Sequence, residues 1–436
     1  DQTPTFNLKA VIRETGLKPD TLRAWERRYG LPAPDRTAGG HRLYSQRDID
    51  MLKWLIARQK EGLSISNAVD LWKRLEAEGH DPLRLVEYAA PEPVAPPMPL
   101  PLGEAIAELR DAWVAACLDF HEGRAEQALT QAFALYPPET VCFEILQEGL
   151  SSIGSGWYEG KITVQQEHFA SELAIRRLET LIASAPAPTR PDRILAACPP
   201  EEEHTIGLLM LTFLLRRRGW DVVYLGANVP VARVEAAIES VRPHLVILSA
   251  QLLYTAASLY QMAEALYQGR VPVAFGGAVF NLLPALRMRI PGHFLGERLD
   301  GAPQVVEGLM ASPRLPPPVE PLSDEYRAAL AHYRDRLPLI DTHMVQAMQS
   351  SGISYDHLSI ANLNLARDIS AALALGDISL LGNELDWLEG LFYHQQIPME
   401  LLHAYLTAYY QASQAHLDDR GAPILNWLEQ LNSIAA

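Results

Sequence analysis

A proline-rich stretch at residues 91–103, PEPVAPPMPLPLG, places the strongest constraint on how this chain folds. Each proline removes a backbone donor and restricts φ, so the stretch cannot form a helix or a central strand. It indicates an extended, semi-rigid linker, which we place at residues 81–102. A second proline cluster, SPRLPPPVEPLS at residues 312–323, predicts another linker. The two linkers divide the 436 residues into a head, a core and a tail.

The core contains two different hydrophobic patterns. Residues 103–186 have apolar side chains at helical spacing, which predicts a helical bundle. Residues 187–311 alternate short β-branched runs, such as RILAACP and HLVILSA, with amphipathic segments, which predicts a doubly wound parallel sheet. The tail, 324–436, has only helix-period segments. We therefore expect a multidomain chain of the α and α/β classes that ends in an all-helical domain.

The head, residues 1–80, has the pattern of a winged helix-turn-helix. Two short helices are predicted around a GLKP turn, and Gly39 and Gly40 suit the tip of a hairpin wing. Residues 8–47 carry nine Lys or Arg against four Asp or Glu, although the whole chain has a net charge of −16. We expect the second helix to enter the major groove and the wing to contact phosphate. The candidate DNA contacts are Thr21, Arg23, Arg27, Arg28, Arg36, His41, Arg42 and Tyr44.

Two segments of the head carry a family resemblance. TLRAWERRYG, followed by RTAGGHRLYS, resembles the MerR-type winged-helix regulators over about residues 5–80. The resemblance implies binding to operator DNA as a homo-oligomer, either a dimer or a tetramer.

Cysteine usage and hydropathy indicate the compartment. Cys117, Cys142 and Cys198 are odd in number, widely spaced and set in apolar surroundings, which favours buried free thiols. No apolar run reaches the roughly eighteen residues that a membrane span needs, and the first residues lack a secretory pattern. We therefore expect a cytoplasmic protein with no membrane partner.

A histidine follows the first strand of the predicted sheet. His204 lies in the loop after RILAACP, and a helix begins near Gly207. Doubly wound folds hold ligands at this carboxyl edge of the sheet. Glu202, His204 and Gly207 resemble the cobalamin-binding signature. That resemblance implies that His204 is the lower axial ligand of cobalt and that Glu202 orients its imidazole.

Further parts of that signature lie downstream. Forty-one residues separate Gly207 from Ser249, and Gly276 and Gly277 follow. The resemblance implies that Ser249 and the two glycines line a slot for the nucleotide moiety of the cofactor. Where the family has Ser-x-Leu, this chain has Ser249-Ala250-Gln251, so the third position is not carried over.

The predicted bundle adds a second group of site residues. Trp157 is followed, after nine residues, by Glu167-His168, a spacing that resembles the CarH-type photoreceptors. With the head and the sheet, this resemblance covers about residues 5–300. It implies adenosylcobalamin as cofactor, with Trp157 walling the adenosyl pocket and Glu167 bonding the nucleoside. His168 then takes the upper cobalt position after light has expelled that group, as a neutral imidazole can.

Together these resemblances imply a light-responsive transcriptional regulator, of the repressor kind, that binds DNA when loaded with adenosylcobalamin. A cobalamin enzyme or carrier leaves the reactive face of the cofactor open to substrate, whereas Trp157, Glu167 and His168 would fill it. We therefore expect no enzymatic activity. Sensing of adenosylcobalamin without light is an alternative that the sequence does not fully separate from light sensing, although His168 favours light, because only a vacated upper face needs a new ligand.

The tail is rich in aromatic residues and contains His394, His403 and His416. Aromatic residues at helical spacing are typical of packing. The tail also resembles the helical extension of regulators that pair cobalamin with a bilin, which implies a second chromophore. Because the tail has no cysteine, a bilin there could not be held through a tail thioether. A dimerisation or partner-docking bundle explains the same segment equally well.

Overall fold

The structure is a computed structural model that describes residues 3–36, 40, 42–60, 65–77, 81–83, 102–312, 314–316, 318–349, 355–382, 394 and 398–435. Contacts group the chain into two compact units, Asp1–Pro99 and Leu100–Ala436. The first unit contains the head, and the second contains the bundle, the sheet and the tail. The finer domain boundaries inferred from the sequence stay predictions.

The first unit is a winged helix. Its elements are β1 (Phe6–Asn7), α1 (Leu8–Thr15), α2 (Pro19–Tyr29), β2 (Asp35–Arg36), β3 (Arg42–Tyr44), α3 (Gln46–Lys60) and α4 (Ile65–Ala77). The strands form an antiparallel sheet in the order β1-β3-β2. α2 begins at a proline and ends at Gly30, which has a left-handed backbone conformation. The helices pack around buried Trp25 and Trp72. The predicted helix-turn-helix with a wing is confirmed.

A helical bundle begins the second unit, as predicted. It contains α5 (Leu102–Leu118), α6 (Glu122–Leu135), α7 (Pro138–Val141), α8 (Glu148–Tyr158) and α9 (Val164–Ala183), and a π-helical segment, Cys142–Gln147, joins α7 to α8. Gly149 packs against the buried Trp113 ring so closely that a Cβ would lie 2.8 Å from it. Thr163 and Gln166 form a capping box at the start of α9. This cap determines where the first turns of α9 begin, and those turns carry Glu167 and His168.

Five parallel strands form one sheet in the order β5-β4-β6-β7-β8. The strands are β4 (Arg193–Ala197), β5 (Asp221–Gly226), β6 (Leu245–Ser249), β7 (Val273–Gly276) and β8 (His293–Phe294). The intervening helices are α10 (Ile206–Arg217), α11 (Val234–Val241), α12 (Leu253–Gln268) and α13 (Val279–Leu282), with α14 (Ala302–Ala311) after β8. β4 and β6 are almost entirely buried, as expected for a sheet covered on both faces. The doubly wound sheet predicted from the sequence is confirmed.

The described part of the tail is helical, as predicted. It contains α15 (Asp324–Ala347), α16 (Tyr355–Ala374), α17 (Met399–His416) and α18 (Ala422–Ala435). Ile369 of α16 and Tyr409 of α17 belong to the same hydrophobic core as Leu259 of α12 and Phe280 of α13. The sheet and the tail therefore share one core, although a proline cluster lies between them in the sequence.

The three cysteines are buried and free, as the sequence predicts. Burial raises the pKa of each thiol to about 12, so all three stay protonated at neutral pH. Among the helices that the structure describes, none has the length and apolar character needed to cross a bilayer.

Candidate functional site

The candidate site lies at the carboxyl edge of the parallel sheet. His204 lies in the loop between β4 and α10, Ser249 ends β6, and Gly276 ends β7. The strand order reverses at β4, because β5 and β6 lie on its opposite sides. Such a reversal opens a crevice at the carboxyl ends of the strands. The fold therefore brings the separately predicted residues to one edge.

A buried carboxylate organises the loop that carries His204. The side chain of Glu202 is fully buried. Its Oε1 accepts hydrogen bonds from the backbone N of His204 at 2.9 Å and from His204 Nδ1 at 2.7 Å. Its Oε2 accepts from the backbone N of Gln251 at 2.6 Å and from Thr255 Oγ1 at 2.7 Å. Burial alone would raise the pKa of Glu202, but these hydrogen bonds outweigh burial and lower the pKa, so the carboxylate is ionised.

The hydrogen bond to Glu202 determines the tautomer of His204. An ionised carboxylate only accepts hydrogen bonds, so Nδ1 carries the proton and Nε2 of the neutral ring keeps its lone pair. The same bond is the main cause of a raised pKa at His204. The side chain of His204 is 63% exposed. An imidazole held at Nδ1 and open at Nε2 has the geometry of an axial metal ligand and fits a cobalt cofactor.

Two glycines shape the space around this histidine. Gly277 has a φ of +125°, and a Cβ there would lie 1.8 Å from the carbonyl oxygen of Ala250. Only glycine tolerates both the conformation and the contact. A Cβ on Gly207 would have no atom of the described residues within 4 Å. The ends of β6 and β7 therefore lie close together, while space is left beside the start of α10.

The first turns of α9 carry the second group of predicted residues. Glu167 accepts a hydrogen bond from Ser171 Oγ at 2.7 Å, and its Oε2 lies 2.8 Å from Nδ1 of His168. The side chain of His168 is 75% exposed. α9 packs against α10, the helix that follows the His204 loop, because Ala170 of α9 and Leu209 of α10 belong to one hydrophobic core. Trp157 is half-buried at the end of α8 and leads into the turn before α9.

Two residues that sequence reasoning did not assign complete the site. Thr255, in the first turn of α12, donates to Glu202 from 53 positions away in the chain. Gln251 Nε2 donates to Ser249 Oγ at 3.1 Å, and Gln251 Oε1 accepts from the backbone N of Ala278 at 2.9 Å. The only sequence feature that pointed to Gln251 was its departure from the Ser-x-Leu pattern of the signature. No sequence feature pointed to Thr255.

The head presents most of its predicted DNA contacts to solvent. Arg23, Arg27 and Arg28 are exposed on α2, and Thr21 is half-buried near the start of that helix. Arg36 on β2 is also exposed. His41 lies outside the described residues.

Two residues of the wing have a partner inside the head. Arg42 Nε donates to Glu26 Oε2 at 2.9 Å, and the Tyr44 hydroxyl donates to Glu26 Oε1. Tyr44 is fully buried, and burial is the main cause that raises its pKa. The structure thus corrects the prediction for Tyr44, whose hydroxyl joins the wing to α2 and is not available to phosphate. Arg42 is partly exposed and stays a candidate contact.

Three family models match the chain. The model of the MerR HTH family regulatory protein matches residues 6–75, and two B12 binding domain models match residues 109–182 and 192–305. The HTH-type transcriptional repressor CarH of Myxococcus xanthus is 33% identical over 298 residues, which are 67% of this chain and 96% of that protein. The chain belongs to the CarH family of B12-dependent MerR regulators.

Two further proteins are similar to this CarH-family chain. The transcriptional repressor CarA of Myxococcus xanthus is 34% identical over 249 residues, which are 56% of this chain and 76% of that protein. The solved structure of the monomethylamine corrinoid protein of Methanosarcina barkeri is 19% identical to this chain in sequence, with a TM-score of 0.40. The match covers 48% of this chain and 99% of the corrinoid protein. As a CarH-family member, the chain binds cobalamin and DNA and is a transcriptional regulator, not an enzyme.

We expect Glu202→Gln to lower the affinity for cobalamin about 10- to 100-fold. The carboxylate of Glu202 accepts hydrogen bonds from four donors. In the variant an amide NH2 group, which can only donate, replaces one of its two oxygens. The imidazole of His204 is then no longer held. Absorbance titration of the cofactor-free chain measures the effect. Glu203→Gln is the matched control, because Glu203 is an exposed neighbour in the same loop. Equal losses in the two variants would contradict an orienting role for Glu202.

Proposed function

We propose that this CarH-family regulator is a light-responsive repressor that binds operator DNA as an oligomer when it holds adenosylcobalamin and releases DNA after illumination. One observation carries the proposal: two histidine–glutamate pairs lie near each other on different elements. In the pair after β4, Glu202 holds Nδ1 of His204. In the pair on α9, Glu167 Oε2 lies 2.8 Å from Nδ1 of His168, and α9 packs against α10, the helix that follows the His204 loop. In each pair the carboxylate contacts Nδ1, so Nε2 of the ring is the nitrogen that can bind a metal.

The sheet would hold the lower side of the cofactor. His204 would bind the cobalt through Nε2, Glu202 would hold the ring by its hydrogen bond to Nδ1, and the open space at Gly207 would leave room beside it. Ser249, Gly276 and Gly277 would line the nucleotide slot, which we place along the carboxyl ends of the adjacent strands β6 and β7. When bound, adenosylcobalamin supplies a cobalt–carbon bond that light can break.

The bundle would act on the upper side. Half-buried Trp157 excludes water from the adenosyl group, and Glu167 accepts hydrogen bonds from ribose hydroxyls. His168 would offer its Nε2 as a second imidazole ligand to the cobalt of the cofactor in the lit state. Because its side chain is 75% exposed, His168 can reorient without breaking the packing of the bundle.

The head would read the operator. The exposed arginines of α2 and β2 neutralise phosphates, and Thr21 at the start of α2 faces the base edges. A dimer or tetramer places several heads on one DNA site, so a change of subunit contacts changes DNA affinity. We assign DNA binding to residues 1–80, the upper cap to 103–186, cobalamin binding to 187–311 and a further helical domain to 324–436.

Gel-shift titrations test the proposal with DNA selected from random sequence by the cofactor-loaded chain in the dark. We expect DNA affinity to fall at least about tenfold, or 1.4 kcal/mol, when adenosylcobalamin is withheld or green light is applied. The dark complex should lose about 0.9 logarithmic units of affinity per logarithmic unit of salt for each phosphate neutralised. Arg23→Ala should weaken DNA binding and leave the cofactor spectrum unchanged. Equal affinity in dark and light, with dependence on the cofactor, would indicate sensing without light.

As a second cofactor we propose a bilin held without a thioether by the tail. A cavity of about 250 Å³ lies between α12, α15 and α16, and Tyr254, Arg334 and Arg367 are among its lining residues. The guanidinium of Arg334 suits one propionate of a tetrapyrrole, whereas Arg367 already pairs with Glu201 of the same lining at 3.1 Å, and the cavity holds only part of such a ligand. Reconstitution with biliverdin should give a red absorption band that Arg334→Ala weakens. No band would leave the tail as a dimerisation or partner-docking bundle.

A further inference from the structure

Gln251 departs from the cobalamin signature and makes contacts that the usual leucine cannot make. Its side chain is partly buried two residues beyond the end of β6. Nε2 donates to Ser249 Oγ at 3.1 Å, and Oε1 accepts from the backbone N of Ala278 at 2.9 Å. A leucine has neither a donor nor an acceptor, so both hydrogen bonds are specific to this chain.

These two hydrogen bonds lie at the carboxyl ends of β6 and β7, where we place the nucleotide slot, and the one to Ala278 joins the loops that follow the two strands. Ser249 belongs to the β6 side of the slot, and Ala278 follows the double glycine on the β7 side. The backbone already lies close there, since Ala250 N donates to Gly276 O at 3.1 Å. The Gln251 side chain therefore occupies the Ser249 hydroxyl and the Ala278 N–H, two polar groups that line the proposed slot.

The backbone of Gln251 is held independently of its side chain. Its N–H donates to Glu202 Oε2 at 2.6 Å, and Glu202 is the carboxylate that orients His204. A change of the Gln251 side chain thus leaves this backbone hydrogen bond in place. The function of the side chain can be tested without removing the support of His204.

We propose that Gln251 is a polar latch that determines how fast the slot admits the nucleotide moiety of a corrinoid. This rests on the proposed position of that moiety along the carboxyl ends of β6 and β7. The latch must release Ser249 and Ala278 before the nucleotide enters, whereas a corrinoid without a nucleotide has no need of the slot. Gln251 is thus a specificity-determining residue that discriminates between complete and incomplete corrinoids by rate.

The experiment compares Gln251→Leu and Gln251→Ala with the wild-type chain. Each cofactor-free protein is mixed in the dark with adenosylcobalamin, and uptake is followed by stopped-flow absorbance. A parallel series uses cobinamide, which has the corrin ring but lacks the nucleotide. A net hydrogen bond changes a rate by roughly 2- to 12-fold. With two such bonds released, we expect adenosylcobalamin uptake about tenfold faster in both variants and cobinamide uptake unchanged.

Three outcomes would overturn the latch. Unchanged adenosylcobalamin uptake would show that opening the slot is not rate-limiting. Equal acceleration with cobinamide would show general loosening of the sheet edge. Acceleration in Gln251→Leu alone would show that apolar packing by the new side chain is the cause. Failure of the wild-type chain to take up either corrinoid would instead overturn the proposed cofactor site itself.

Discussion

In His204→Ala, the affinity for adenosylcobalamin falls by more than about 100-fold, and DNA binding no longer depends on the cofactor. Loss of a partner that only orients a metal ligand costs about 10- to 100-fold, so loss of the ligand itself costs more. The variant also leaves Glu202 as a buried carboxylate that has lost one of its four hydrogen bonds. An unpaired lone pair on that carboxylate lowers the stability of the loop as well.

Dark absorbance titration and thermal unfolding separate these two effects. His244→Ala is the matched control, because His244 also contacts a carboxylate, Asp192 at 3.2 Å, but precedes β6 at the opposite edge of the sheet. The control should bind cofactor normally. Stoichiometric binding with an unchanged spectrum in His204→Ala would make His204 a surface histidine and remove the basis of the proposed site.

In His168→Ala, dark binding of adenosylcobalamin and DNA stays close to wild type, but the lit state is altered. The exposed imidazole of His168 contributes little to packing, so its loss does not disturb the folded bundle. After illumination the variant has no second imidazole to bind at the upper position. Inverting a two-state population takes roughly 5.5 kcal/mol. We expect the light-induced change in DNA affinity to shrink at least about tenfold, or 1.4 kcal/mol.

Absorbance after illumination identifies the residue that acts. The variant should reach a spectrum different from that of the lit wild type and return to the dark DNA affinity sooner. His121→Ala is the comparison, because His121 is a histidine of the same bundle that caps α6 through Nδ1. Identical lit spectra in His168→Ala and the wild type, with a changed spectrum in His121→Ala, would transfer the role to His121.

Local signals in the sequence were enough to predict the elements that hold the site. Helix period, strand alternation and the turn glycines act over a few residues, so the winged helix, the bundle and the parallel sheet could be predicted. The topology of a doubly wound sheet then places His204 and Ser249 at one edge, because both follow or end strands near the reversal of strand order. The roles assigned to these residues stay proposals.

Contacts between distant residues could not be predicted in this way. Thr255 supports Glu202 only because the first turn of α12 contacts the loop between β4 and α10, and nothing near Thr255 in the sequence indicates that contact. Tyr44 had the polar character of a wing contact, but packing buried it and gave its hydroxyl to Glu26. The proline cluster before the tail suggested separation, yet α16 and α17 share a core with α12.

The sequence by itself thus determined the order and type of the elements and the residues that resemble a cobalamin signature. Only the tertiary structure decided which polar groups pair, which side chains are buried and how Gln251 spans the ends of β6 and β7. The physical reason is the range of the interactions. Backbone preferences depend on neighbours within a few positions, whereas burial and hydrogen-bond partners depend on which surfaces meet after folding.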